Sequence, residues 1–114
     1  MPRAPSLDTM FAALADPTRR AIVERLSARG QLTVRDVSEP FKISAPAISR
    51  HLRVLEDAGL IERRVDAQFR LVRVKREALA PVEDWISRQR RVWESALDRL
   101  EAAISAETPK RRKS

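Results

Sequence analysis

Cysteine is absent from the 114-residue chain, and histidine occurs once, at His51. Disulfides and thiolate metal ligands are therefore excluded, and one imidazole with scattered carboxylates is a poor ligand set for zinc. Glycine stands only at Gly30 and Gly59, so the chain has no Gly-rich phosphate loop, and it has no GxSxG elbow. Carboxylate pairs such as Glu56-Asp57 and Glu83-Asp84 are adjacent in sequence, and adjacent residues on a helix do not face one another. The chain is read as a non-enzyme with no cofactor and no metal site. No apolar run approaches the roughly 20 residues of a membrane span, and the N-terminus lacks a basic region followed by an apolar core. A soluble, cytoplasmic, bacterial protein associated with the nucleoid and not with a membrane is the expectation.

What is present is helix-forming and basic. Hydrophobic residues make up 43% and charged residues 34% of the chain, with a formal net charge of +7 and a pI near 11.1. A small basic domain attracts polyanions, nucleic acid first among them. The segment Lys110-Arg111-Arg112-Lys113 supplies four of those charges, so the rest of the chain is only mildly basic. A binding face there requires an uneven distribution of charge.

Along the chain, Leu7, Met10, Phe11 and Leu14 share one helical face. Asp16-Pro17 ends that helix and caps the next, whose stripe is Ile22, Val23 and Leu26 and whose stop is Gly30. Gln31 to Thr33 reads as a short extended link. Thr33, with Asp36 three residues on, resembles a capping box for a brief helix burying Val34 and Val37. Pro40 breaks it. Ser44 caps a further helix with Ile48, Leu52 and Leu55 on one face, closed by Gly59. Two extended runs between Ile61 and Lys75 flank Asp66-Ala67-Gln68 and read as a hairpin. From Pro81 to about Ala106 one long helix carries Trp85, Ile86, Val92, Trp93, Leu97, Leu100 and Ile104, a stripe near period 3.5 interrupted by Gln89. At about 38 Å this helix is too long for so small a core to cover, and a second copy of the chain is the simplest partner for its stripe. The expected domain spans 7–106, with a basic disordered tail at 107–114.

The resulting fold class is mainly α with a small β-hairpin, in the order helix, helix, helix, helix, hairpin, long helix. That is a homodimeric winged helix-turn-helix. Its fourth helix can enter a major groove about 12 Å wide, so double-stranded DNA is the expected partner. The side of that helix away from its core face offers Ser44, Ala45, Ala47, Ser49, Arg50 and Arg53. Small residues permit close approach, Ala45 or Ala47 can meet a thymine methyl, and Arg50 can bond a guanine or grip a phosphate. His51 is a phosphate contact or a cap on a neighbouring backbone group. Among Arg63, Arg64, Arg70 and Arg73 of the hairpin, Arg64 and Arg70 are the candidate wing contacts. The candidate dimerisation residues are Met10, Phe11, Trp85, Ile86, Val92, Trp93, Leu97 and Leu100. Trp85 and Trp93 also leave room for the alternative of a pocket for an unidentified small-molecule effector.

The run Met10 to Ile22 (MFAALADPTRRAI) resembles the opening signature of ArsR-family winged-helix regulators, and Ser44 to Ile61 (SAPAISRHLRVLEDAGLI) resembles their recognition helix and its exit into the wing. The resemblance extends over about residues 7–105. It implies a homodimer paired through the first and last helices that represses transcription at an inverted repeat. The chain departs from the family in two places. Many members sense metals through Cys or His in the third or last helix, but here Thr33 to Ser38 and the last helix contain neither, which points to the cysteine-free branch. Relatives also often have Gly at the wing tip, where this chain has Ala67. Two other readings compete with a sequence-specific repressor: a non-specific architectural DNA binder, suggested by the basic tail, and a protein-interaction module on the same fold, disfavoured by Arg50, Arg53, Arg64 and Arg70.

Overall fold

The computed structural model describes residues 6–107. The basic segment Lys110 to Lys113 lies outside them. The chain divides into two compact units, one ending at Pro81 and the other beginning at Val82.

In the first unit, helix α1 (Leu7–Leu14) starts at Ser6, whose hydroxyl accepts from the Thr9 N–H. Helix α2 (Pro17–Arg29) starts at Asp16, whose carboxylate accepts from the Arg19 N–H at 3.0 Å, with proline in the first turn. That α1–α2 corner is closed from the other side as well. Arg19 Nε donates to the Ala13 carbonyl at 2.6 Å, and Arg20 Nη1 donates to the Leu14 carbonyl at 2.7 Å. Both satisfy carbonyls that the end of α1 leaves without helical partners. Strand β1 (Gln31–Thr33) follows Gly30, and helix α3 (Val34–Ser38) is capped by Thr33, which accepts from the Asp36 N–H at 3.0 Å.

Helix α4 (Ala45–Asp57) is capped by Ser44, which accepts from the Ala47 N–H at 3.2 Å. At its end Gly59 takes φ +80°. Leu60 N–H reaches the Leu55 carbonyl and Gly59 N–H the Glu56 carbonyl, a left-handed helix stop that glycine adopts without a Cβ clash. The chain then enters strand β2 (Ile61–Asp66), a two-residue loop, and strand β3 (Phe69–Val74). The hairpin thus closes one residue tighter than the sequence suggests, because Asp66 pairs with Phe69 inside the ladder.

The stretch read as an extended link is a third strand. β1 pairs antiparallel with β3, Leu32 opposite Val72 and Thr33 opposite Leu71, giving the sheet order β1-β3-β2. Met10, Ile22, Leu26, Leu52, Leu55 and Val72 are fully buried in this unit's core. Met10 is therefore a correction: read as a dimerisation residue, it is 0% exposed and has no surface left for a partner.

Helix α5 (Leu79–Glu107) begins after a 3₁₀ turn at Arg76–Ala78, two residues before the expected start at Pro81. Pro81 falls in its first turn, where a missing N–H costs nothing. None of the residues of α5 is buried. No helix of the described residues is long and apolar enough to cross a membrane.

Candidate nucleic-acid interface

Helix α4 divides its residues by task. Ile48, Leu52 and Leu55 are buried. Ala45, Pro46, Ser49, Arg50 and Arg53 are exposed, and Ala47 is half-buried. Ser44 is exposed too, but its hydroxyl oxygen is already engaged as the helix cap; its O–H remains a donor. The structure thus gathers Ala45, Ser49, Arg50 and Arg53 on the open side of one helix that begins with capped N–H groups and a favourable dipole for anions.

The hairpin sorts its four arginines into two kinds. Arg63 donates to Glu56 Oε1 from Nε at 3.1 Å and from Nη2 at 3.0 Å. Arg73 Nε donates to Glu62 Oε2 at 2.8 Å. These two are neutralised, and the Arg63–Glu56 pair braces β2 against the last turn of α4. The side chains of Arg64 and Arg70 make no hydrogen bond or ion pair among the described residues, and neither do those of Arg50 and Arg53. The ladder places Arg70 opposite Val65 and Arg64 opposite Leu71. Opposite residues share a face and successive ones alternate, so Arg64 and Arg70 lie on the two different faces of the wing. A hollow of about 290 Å³ lined by Val34, Ser49, Arg63, Arg64, Val65 and Arg70 joins the open side of α4 to the wing.

His51 is placed by contacts that the sequence did not reveal. Its Nδ1 lies 3.4 Å from Arg19 Nη1 and 4.0 Å from Asp16 Oδ2, so the ring nitrogen meets side chains of the α1–α2 corner and not a backbone group. Arg19, 32 residues away in sequence, is the hub of this cluster. The Asp16 carboxyl is held below its ordinary value of 3.8, chiefly by the Arg19 backbone N–H. Burial opposes this as the second-largest effect, and the charges of Arg19 and His51 each add a smaller lowering contribution. No group of His, Asp and Glu among the described residues is arranged to hold a metal ion.

On α5, Trp85, Ile86, Val92, Trp93, Leu97 and Leu100 are all exposed, Trp93 to 68%. Trp85, Ile86, Gln89, Trp93 and Leu97 line a shallow groove along this single helix. Phe11, on α1, is exposed as well.

A capped helix with an open cationic side, followed by a basic two-stranded wing, defines a winged helix-turn-helix protein of the DNA-binding class. Residues 14–64 match the model of a helix-turn-helix domain. The chain is 38% identical over 102 residues to the HTH-type transcriptional regulator Rv2034 of Mycobacterium tuberculosis, covering 90% of this chain and 92% of that protein. It is 41% identical over 63 residues to the transcriptional repressor SdpR of Bacillus subtilis, covering 55% of this chain and 69% of that one. Among solved structures, a crystal structure of an ArsR family transcriptional regulator superposes with a TM-score of 0.72 at 40% identity, covering 83% of this chain and 98% of that one. The chain belongs to the ArsR family of transcriptional regulators. It is a DNA-binding regulator of transcription and not an enzyme.

Proposed function

We propose that this regulator is a sequence-specific repressor that binds an inverted repeat as a homodimer. The observation that carries the reading is the sorting of its arginines: Arg63 and Arg73 are paired with carboxylates, while Arg50, Arg53, Arg64 and Arg70 keep their charge unpaired on α4 and the wing. In this reading Ala45, Ala47, Ser49 and Arg50 face base edges. Ser44, Arg53, Arg64 and Arg70 hold the backbone and the wing-side groove. His51 contributes by seating α4 against the α1–α2 corner. The unburied stripe of α5, with Phe11, pairs the two copies, and the two-fold axis imposes the inverted repeat.

The test is recovery of genomic fragments by the purified protein at about 150 mM salt, followed by sequencing. One enriched inverted repeat, bound with Kd on the order of 10⁻⁸ M or tighter, supports the reading. Arg50→Ala then lowers discrimination between the enriched site and a scrambled one by roughly tenfold or more; an unchanged ratio removes Arg50 from base recognition. The net charge and the Lys110 to Lys113 segment favour a second reading, an architectural binder. That reading requires broad recovery without a shared motif and a strong loss on removing residues 109–114.

A further inference from the structure

Each side-chain nitrogen of Arg19 meets a different acceptor. Nε donates to the Ala13 carbonyl at 2.6 Å, Nη2 donates to the Ala12 carbonyl at 3.4 Å, and Nη1 lies 3.4 Å from His51 Nδ1. The two carbonyls belong to the end of α1, and His51 belongs to α4. Arg19 itself stands in the first turn of α2, where the Asp16 cap holds its backbone N–H. One planar group thus joins three helices, which the single nitrogen of a lysine cannot do.

The contact also fixes the histidine. A guanidinium has only donors, so Nδ1 has to be the acceptor and the ring proton sits on Nε2. Asp16 Oδ2, at 4.0 Å from Nδ1, is too far to take that place. His51 is half-buried at the inner edge of α4, three residues after the buried Ile48. It follows Arg50 directly and Ala47 by one helical turn. The far end of α4 has its own tie, from Glu56 to Arg63 of β2. Arg19 and His51 therefore anchor the half of α4 that carries Ala45, Ala47, Ser49 and Arg50.

Resting on the repressor reading above, we propose that Arg19 is a positioning residue for base recognition: through His51 it sets the rotation and depth of the N-terminal half of α4, without itself touching DNA. Apolar packing by Ile48, Leu52 and Leu55 holds the helix to the core, but such packing is not directional. Hydrogen bonds to base edges work only over a few tenths of an ångström. A small rotation at the backbone of Arg50 is enlarged at the end of its long side chain. A directional tie one residue from Arg50 suppresses that rotation.

The experiment measures Arg19→Lys, His51→Asn and His51→Gln beside the wild type, on the enriched site and on a scrambled one, across a salt series. Asparagine puts an acceptor oxygen where Nδ1 stands, whereas glutamine puts its amide where Nε2 stands. Arg19→Lys and His51→Gln are expected to lower discrimination between the sites by about tenfold, and the conservative His51→Asn to rescue it. The salt slope, which counts neutralised phosphates, is expected to stay at the wild-type value in all three. His51 is the only histidine, so ring-nitrogen NMR at about pH 8 reads it alone. The wild type is expected to show a bare Nδ1 and a protonated Nε2, and Arg19→Lys a mixture of tautomers. Arg19→Lys also loses contacts to α1 and can weaken folding; the two His51 variants leave those contacts in place and decide the question by themselves. Discrimination lost in His51→Asn or kept in His51→Gln overturns the proposal, and the two together make Nε2 a DNA contact. A flatter salt slope in Arg19→Lys also overturns it and makes Arg19 a phosphate ligand. A wild type without site preference would instead defeat the repressor reading itself.

Discussion

The two units of this molecule treat their apolar residues in opposite ways. In the first, residues spaced at helical and strand periods disappear into one core: Met10, Ile22, Leu26, Leu52 and Leu55 are wholly buried. In the second, α5 carries an equally regular stripe and buries none of it. Periodicity reports that a face will be covered; it does not report by what. Where the partner elements belong to the same compact unit, as α1, α2, α4 and the sheet do, the pattern ends in a core. Where the helix outruns any core a chain of this size can build, the same pattern stays exposed, and it is this stripe that the proposed function gives to a second copy.

The strongest way to break the first half of that comparison is Leu52→Ala. A fully buried leucine at the centre of α4's inner face should cost about 2–5 kcal/mol through lost burial and the cavity left behind, read as a lower denaturant midpoint at unchanged slope. Such a loss is a large share of a small domain's stability. Its counterpart on α5 is Trp93→Ala with Leu97→Ala. Truncating these exposed side chains should leave the core intact and raise the dimer dissociation constant by about a hundredfold or more. Sedimentation would then show the 13.0 kDa chain alone at concentrations where the wild type is twice that mass. An unfolded double variant, or an unchanged dimer, would refute the contrast.

A smaller effect separates the corner from the core. The Asp16 carboxyl has its pKa lowered in the folded state. Its stabilising contribution is therefore complete above the ordinary value of 3.8 and is lost as pH falls through the lower folded value. In Asp16→Asn the melting temperature should be lower at neutral pH, and its fall in acid should be shallower than that of the wild type. Identical acid limbs would show that the cap contributes no linkage. Smallest is the wing loop. Ala67 sits at φ +55°, a left-handed conformation that costs an L-residue about 1 kcal/mol. Ala67→Gly relieves it at some cost in unfolded-chain entropy, so a gain of about 0.5 kcal/mol is expected in thermal unfolding.

Much of this was legible because helix ends are local chemistry. Asp16-Pro17, Thr33 with Asp36, Ser44 and Gly59 mark their boundaries within four residues, and the fold uses each of them as cap or stop. What escaped depends on distant residues. Three residues cannot show alternation, so β1 is defined only by its pairing with β3, some forty positions later. Met10 and Phe11 are neighbours on one apolar face, yet one is buried and the other exposed, a difference set by what packs above them. The Arg19–His51 contact spans two helices, and its only trace in sequence is an arginine following a capped proline turn. The candidate site was legible as a list of exposed polar positions on α4. The sequence singled out Arg64 and Arg70 among the hairpin arginines, but what sets them apart, Glu56 and Glu62 lying within reach of Arg63 and Arg73, depends on the fold.

The division of labour along α4 bears on how such a regulator changes over time. Ser44 holds the helix start, Ile48, Leu52 and Leu55 anchor it, Glu56 ties it to the wing, and Gly59 ends it. Ala45, Ser49, Arg50 and Arg53 do none of this. Surface substitutions of that kind usually alter stability by less than about 0.5 kcal/mol. If these four positions read DNA as proposed, duplicated copies of the gene can drift apart there and acquire different operators while the folding of the protein stays as it was.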